Sequence, residues 1–96
     1  MRSQIQAPSI PLHNKVIVTT AGTRVQLGTS NCVSVTITAL TTNAGVIYVG
    51  CSTVSSANGY QLTAGSSVSL DINSLGVVWI DAANSGDSVT YIGVKN

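Results

Sequence analysis

Between Asn43 and Ile72 no apolar run exceeds four residues before Gly, Asn or Ser interrupts it. The words are Asn43-Ala-Gly-Val-Ile-Tyr-Val-Gly50, then Val54-Ser-Ser-Ala-Asn-Gly-Tyr-Gln-Leu62, then Ala64-Gly-Ser-Ser-Val-Ser-Leu-Asp-Ile72. Short apolar runs divided by turn formers are the pattern of strands joined by tight turns. No window of the chain repeats at helical spacing, and Ser, Thr, Val and Gly are poor helix formers. Val (13), Ile (8) and Thr (11) supply a third of the 96 residues, and β-branched side chains suit a pleated, half-buried surface. The length allows one domain, which hides only about 60–65% of the surface its unfolded chain exposes. With no Phe, one Trp and three Tyr, its core has to be aliphatic.

The same punctuation gives eight strands: 15–20, 24–27, 32–40, 46–50, 60–62, 67–72, 77–82 and 88–94, with Val54 a further brief edge before an Asn58-Gly59 turn. The third is the clearest, with Val33, Val35, Ile37 and Ala39 on one face and Ser34, Thr36 and Thr38 on the other. Eight short strands at this spacing predict an all-β fold, a small antiparallel sandwich or jelly-roll-like barrel. Residues 1–14 carry both prolines, which lack an amide donor and hold their neighbours extended. They form an expected N-terminal arm outside the sheets, with 15–96 as the sandwich domain. Ile5, Gln6, Pro8, Ile10, Pro11 and Leu12 are the arm's expected partner-binding residues. Two hairpins are also expected. A loop at 83–87 centred on Ser85 sets Trp79 opposite Tyr91 as a structural aromatic pair, and the loop 41–45 brings the strands bearing Cys32 and Cys51 side by side.

Charge excludes more than it suggests. Four basic and three acidic residues, with no Glu, make 7% charged against about 25% in ordinary soluble domains. Ser and Thr total 24, so the polar surface is one of hydroxyls and amides, which cost far less to desolvate than ions and do little to keep copies apart. That surface suits a protein built into an assembly. A net charge of +1 without a Lys/Arg cluster argues against nucleic-acid binding, and no apolar run reaches the roughly 18 residues of a membrane helix. Met1-Arg-Ser-Gln-Ile-Gln6 lacks a signal peptide's apolar core, so synthesis in a cytoplasm is expected, where the two thiols, both expected to be buried, stay free.

Chemistry is sparse. Nucleophilic catalysis needs a base beside the nucleophile, yet the one histidine, His13, lies in the arm, and no Gly-x-Ser-x-Gly elbow occurs. Two cysteines and one histidine fall short of a zinc site. The carboxylates are Asp71, Asp81 and Asp87 alone. Asp81-Ala-Ala-Asn-Ser-Gly-Asp87 has Ala83 and Ser85 where a calcium loop needs ligands, so it reads as a turn with Asn84 and Gly86 in left-handed conformations. No catalytic residue, metal ligand or cofactor is expected. Trp79, Tyr48, Tyr60 and Tyr91 are too few to favour a sugar-stacking platform over packing.

From Thr42 to Val94 the chain resembles small β-rich virion proteins of tailed bacteriophages, found among head decoration (cement) proteins and head- or tail-fibre components. The resemblance rests on Thr42-Asn-Ala-Gly-Val-Ile-Tyr-Val-Gly50, the words at 54–62 and 64–72, Val78-Trp-Ile-Asp-Ala-Ala83 and Gly86-Asp-Ser-Val-Thr-Tyr91. It spans a little over half the chain. A Pro often stands in those proteins where this chain has Ala64, and a Tyr where it has Trp79. The family offers no catalytic motif to transfer. The resemblance implies a non-enzymatic virion protein assembled in the host cytoplasm, with the major capsid protein as partner and a trimer or other small homo-oligomer as its state. A host-surface or glycan-binding module of a fibre or tail is the alternative.

Overall fold

The structure, a computed structural model, describes residues 9–95. Eight strands succeed one another: β1 (Ile10–Ile17), β2 (Val25–Gln26), β3 (Ser34–Ala39), β4 (Ile47–Gly50), β5 (Tyr60–Leu62), β6 (Ser67–Leu70), β7 (Trp79–Ala82) and β8 (Ser88–Lys95). A 3₁₀ turn at Leu75–Val77 precedes β7. The strands form two four-stranded antiparallel sheets, ordered β1-β8-β3-β6 and β2-β7-β4-β5. The chain is thus the all-β sandwich its punctuation implies, and the strand order is that of a jelly roll.

A single register organises it. The numbers of paired residues add to 105 in β1·β8 (Ile10 with Lys95), in β2·β7 (Val25 with Ile80) and in β3·β6 (Val35 with Leu70). The isolated bridge between Asn31 and Ser74 keeps the same sum; only the tip, β4·β5, changes it, to 109 (Ile47 with Leu62). The chain is one long hairpin whose two arms stay in step from Ile10·Lys95 to Thr38·Ser67. Winding that hairpin brings β8 beside β3 and β7 beside β4. All consecutive strands except β4 and β5 therefore lie in opposite sheets.

The core lies between the sheets and is aliphatic, with Ile37, Ile47, Ile80, Val18 and Val89 fully buried and Leu27, Leu62 and Leu75 nearly so. Strict alternation delivers it: β3 buries Val35, Ile37 and Ala39 while its hydroxyl residues stay half-exposed. Val33, expected on the buried face, precedes the strand and is 51% exposed. Val54 is no strand, yet it is buried, because the loop 51–59 folds back over the sheet; a β-carbon on Gly59 would collide with Tyr48 Cβ.

Two polar side chains, buried Asp87 and half-buried Asn43, fasten the crossings between sheets. Asp87 accepts the amides of Ala44 (2.9 Å) and Gly45 (2.8 Å) on its two carboxylate oxygens. Asn43 Nδ2 donates to the Ser88 carbonyl (2.8 Å), and its Oδ1 accepts the Ser88 amide (3.0 Å). At the head of β8, the Gly86 amide donates to Val18 O (2.8 Å) while the Val18 amide donates to Asp87 O (2.9 Å). Two residues thus oppose one, a bulge with Gly86 at φ +91 where a glycine is favoured.

Three expectations are corrected. The arm does not end at residue 14: Ile10–Ile17 is strand β1, paired along its whole length with β8. An edge strand tolerates Pro11 because its missing N–H faces away from the partner. The loops 41–45 and 83–87 are sheet-to-sheet crossings rather than hairpins, so Trp79 and Tyr91 do not pair. Trp79 lies opposite Gln26 and Gly50, and Tyr91 opposite Asn14 and Ile37 in the other sheet. In the loop 83–87 Gly86 alone has positive φ; Asn84 does not.

Candidate interaction surface

Of the expected partner-binding residues, Ile5, Gln6 and Pro8 lie outside the described residues. Ile10 and Pro11 are exposed on β1, whereas Leu12 faces inward and packs against the core. The structure therefore gives Leu12 a packing role, and only Ile10 and Pro11 of the expected residues described stay exposed. His13, exposed and paired across the ladder with Ile92, has no cluster around it. Among the described residues no three His, Cys, Asp or Glu side chains come together.

The outward face of the β1-β8-β3-β6 sheet is built by the odd residues of β1 and the even residues of β8, since Leu12, Val16, Val89 and Tyr91 turn to the core. Across it run the rows Pro11–Val94–Ser34, His13–Ile92–Thr36–Ser69 and Lys15–Thr90–Thr38–Ser67. Its apolar members are Ile92, 59% exposed, and Val94, 37%, on β8, and Ile17, 48%, beside Ser88 on the edge strand β1. Its β3·β6 side is a ladder of hydroxyls bonded in pairs across the strands, Thr36 with Ser69 at 2.9 Å and Thr38 with Ser67 at 2.7 Å. Each pair uses one of its two O–H protons internally, and hydroxyls cost far less to desolvate than ions, so covering them costs less than covering charges. Only His13 and Lys15 in these rows carry titratable groups, both on the edge strand. The face is apolar at Ile92 and Val94, lined by hydroxyls elsewhere and nearly free of charge.

One sequence signal marks this face. Tyr91-Ile92-Gly93-Val94 breaks the alternation that a strand wet on one side keeps, and apolar residues on both faces of a strand mark one covered on both sides. β8 presents Val89 and Tyr91 inward and Ile92 and Val94 outward.

The opposite sheet offers a shallow depression at Trp79, lined by Gly22, Thr23, Arg24 and Ser52, with a volume of about 410 Å³. The loop forming its wall is pinned from below, since the Gly22 amide donates to buried Asp81 (3.0 Å). The two thiols have separate environments and are free. Cys32 is buried, which raises its pKa, and its thiol contacts Ile72 O at 3.4 Å. Cys51 is exposed; the Thr53 hydroxyl at 3.2 Å favours its thiolate and lowers its pKa. Free thiols match the sequence expectation; burial of both does not.

Comparison with protein-family models and with curated proteins found no match.

Proposed function

We propose that this protein is a non-enzymatic structural protein of a virion, a capsid decoration (cement) protein that stabilises a phage head by bridging major capsid subunits. The observation that carries the reading is the outward β1-β8-β3-β6 face, with Ile17, Ile92 and Val94 exposed beside paired hydroxyls. Apolar area surrounded by groups that are inexpensive to desolvate is what a lasting protein contact uses, and a body with 7% charged residues does not repel a close-packed neighbour. The jelly roll is shared by viral capsid and lectin domains and by cupins, so the fold alone does not choose among them. The resemblance to virion proteins and the uncharged face favour the capsid.

The mechanism is area burial across a subunit junction, each copy laying this face on two or more capsid subunits. Trimers of this chain would bring three such faces to one junction. The test is attachment to purified capsids, read by gel densitometry and by the position of added density in particle images. Ile92→Asp is expected to abolish attachment while leaving melting within about 0.5 kcal/mol of wild type, as for an exposed surface substitution. Full attachment by that variant would sink the proposal. Glycan binding by a fibre or tail module is the second reading, favoured by the Trp79 depression beside Arg24. It predicts glycan-array hits that Trp79→Ala removes, and few copies per particle.

A further inference from the structure

On β4 and β7 the residues Ile47, Val49, Ile80 and Ala82 turn to the core, so Tyr48, Gly50, Trp79 and Asp81 face outward. Asp81 is nevertheless only 3% exposed, because the loop after β1 crosses it. Its Oδ1 accepts the amides of Gly22 (3.0 Å) and Ala82 (2.8 Å), and the Ala21 amide donates to Ser85 Oγ (2.9 Å) to hold the same loop down. On the other side Gly50, opposite Trp79, has no side chain, and Val54 packs where a β-carbon would stand. Two held loops thus rise on either side of half-buried Trp79. The depression between them is lined by Gly22, Thr23, Arg24, Ser52 and Trp79, and its volume of about 410 Å³ falls in the usual range of small-ligand sites. Arg24 is the one charged side chain in that lining, and it is exposed. The three carboxylates are placed elsewhere. Asp87 is spent on the amides of Ala44 and Gly45, Asp71 follows β6 in the other sheet, and Asp81 is buried under the loop.

We propose that this depression binds a pyranose bearing one carboxylate, a uronic or a sialic acid, with the sugar ring on Trp79 and the carboxylate on Arg24. The inference rests on the glycan reading of this site and names its substrate class; the capsid reading uses the other sheet. The exposed part of the Trp79 indole is a flat apolar surface with a polar edge, which matches the C–H face of a pyranose. The hydroxyls of Thr23 and Ser52 can each donate and accept, as sugar hydroxyls require. The guanidinium presents its donors in a rigid planar fork that fits both oxygens of a carboxylate. Charge selects in the same direction: one guanidinium balances one carboxylate, whereas a phosphate monoester carries nearly two charges at neutral pH. A shallow, open site also suits a ligand that keeps part of its hydration, since apolar ligands are held where most of their surface is enclosed.

Trp79 is the only Trp in the chain, so its fluorescence reads the site directly in the native protein. The titrants are methyl glucoside, methyl glucuronide, which differs from it by the carboxylate, and the methyl glycoside of N-acetylneuraminic acid. At least one of the two acids is expected to change the emission saturably, with a Kd about fivefold below that of the glucoside, the upper end for a solvent-exposed ion pair. That preference is expected to shrink as salt is added and to vanish in Arg24→Gln, an exposed substitution whose urea midpoint stays that of the wild type. Which acid binds more tightly tells a uronic from a sialic acid ligand. Equal affinity for the glucoside and both acids, or a preference that survives Arg24→Gln, would overturn the assignment and leave the glycan reading standing. No saturable change with any of the three sugars would overturn both.

Discussion

Asp87→Ala is the substitution expected to cost the most for its size. The carboxylate is 7% exposed, and both its oxygens accept backbone amides from the 41–45 crossing, at 2.9 and 2.8 Å. Hydrogen bonds to a charged acceptor contribute about 1.5–3 kcal/mol each. Ala44 is exposed, so water can replace one lost partner, but Gly45 is half-buried and recovers less. The net loss is then about 2–4 kcal/mol, out of about 5–15 for a domain of this kind. At about 4–8 °C per kcal/mol for a domain of this length, the melting temperature falls by about 8–30 °C. Asp87→Asn keeps one acceptor and turns an amide NH₂ toward a backbone donor, so it is expected to lose most of the same stability. Urea unfolding followed by Trp79 fluorescence measures both, with an unchanged slope showing that the shift lies in stability. A loss below about 0.5 kcal/mol for Asp87→Ala, the scale of an ordinary surface change, would refute the idea that this carboxylate locks the crossing.

Other outcomes follow from the same geometry. In the folded protein iodoacetamide modifies Cys51 before Cys32. The Thr53 hydroxyl lowers the Cys51 pKa, so Thr53→Val shifts the alkylation–pH profile of Cys51 upward, toward that of an ordinary thiol. Gly86→Ala costs about 1–2 kcal/mol through its φ of +91, although no atom within 4 Å opposes a β-carbon there; thermal melts check it. Trp79→Ala and Tyr91→Ala add within about 0.5 kcal/mol in a double-mutant cycle, because the two rings belong to different sheets. A larger coupling would restore the cross-strand pair that the topology removes.

Strand existence was legible here because period-two burial acts locally: Val35-Thr-Ile-Thr-Ala39 declares its faces without reference to the rest of the chain. Pairing was not. Turn-centred arithmetic assumes that neighbours in sequence are neighbours in the sheet, and among consecutive strands only β4·β5 obeys it. The sum of 105 that links Ile10 with Lys95 and Val35 with Leu70 becomes visible only once the long hairpin is known. Proline misled in the same way, since its missing donor excludes the middle of a sheet and not the outward side of an edge strand. Asp87 and Asn43 looked like turn residues because their partners are backbone amides and carbonyls, which every residue has. The apolar residues of the outward face left a fainter mark, the broken alternation of Tyr91-Ile92-Gly93-Val94.

A low-charge β protein has to direct its associations, and here the edges and the faces are treated differently. β2 has two residues, β5 three and β6 four, too few to template another strand. β1 is long enough, but its outward positions are blunted. The Val18 amide bonds inward to Asp87 O, so by alternation residues 11, 13, 15 and 17 point their backbone groups away from β8. Of these, Pro11 has no N–H, and the Lys15 amide is taken by Asn14 Oδ1 at 2.8 Å. Only His13 and Ile17 are left to offer a donor to an added strand, and the Lys15 side chain charges the same edge. Ile92 and Val94, by contrast, stand open on the face with hydroxyl pairs beside them. Edge-to-edge growth is thereby disfavoured while face-on burial is left free, which is the arrangement a subunit needs if it is to cover a surface without polymerising with its own copies.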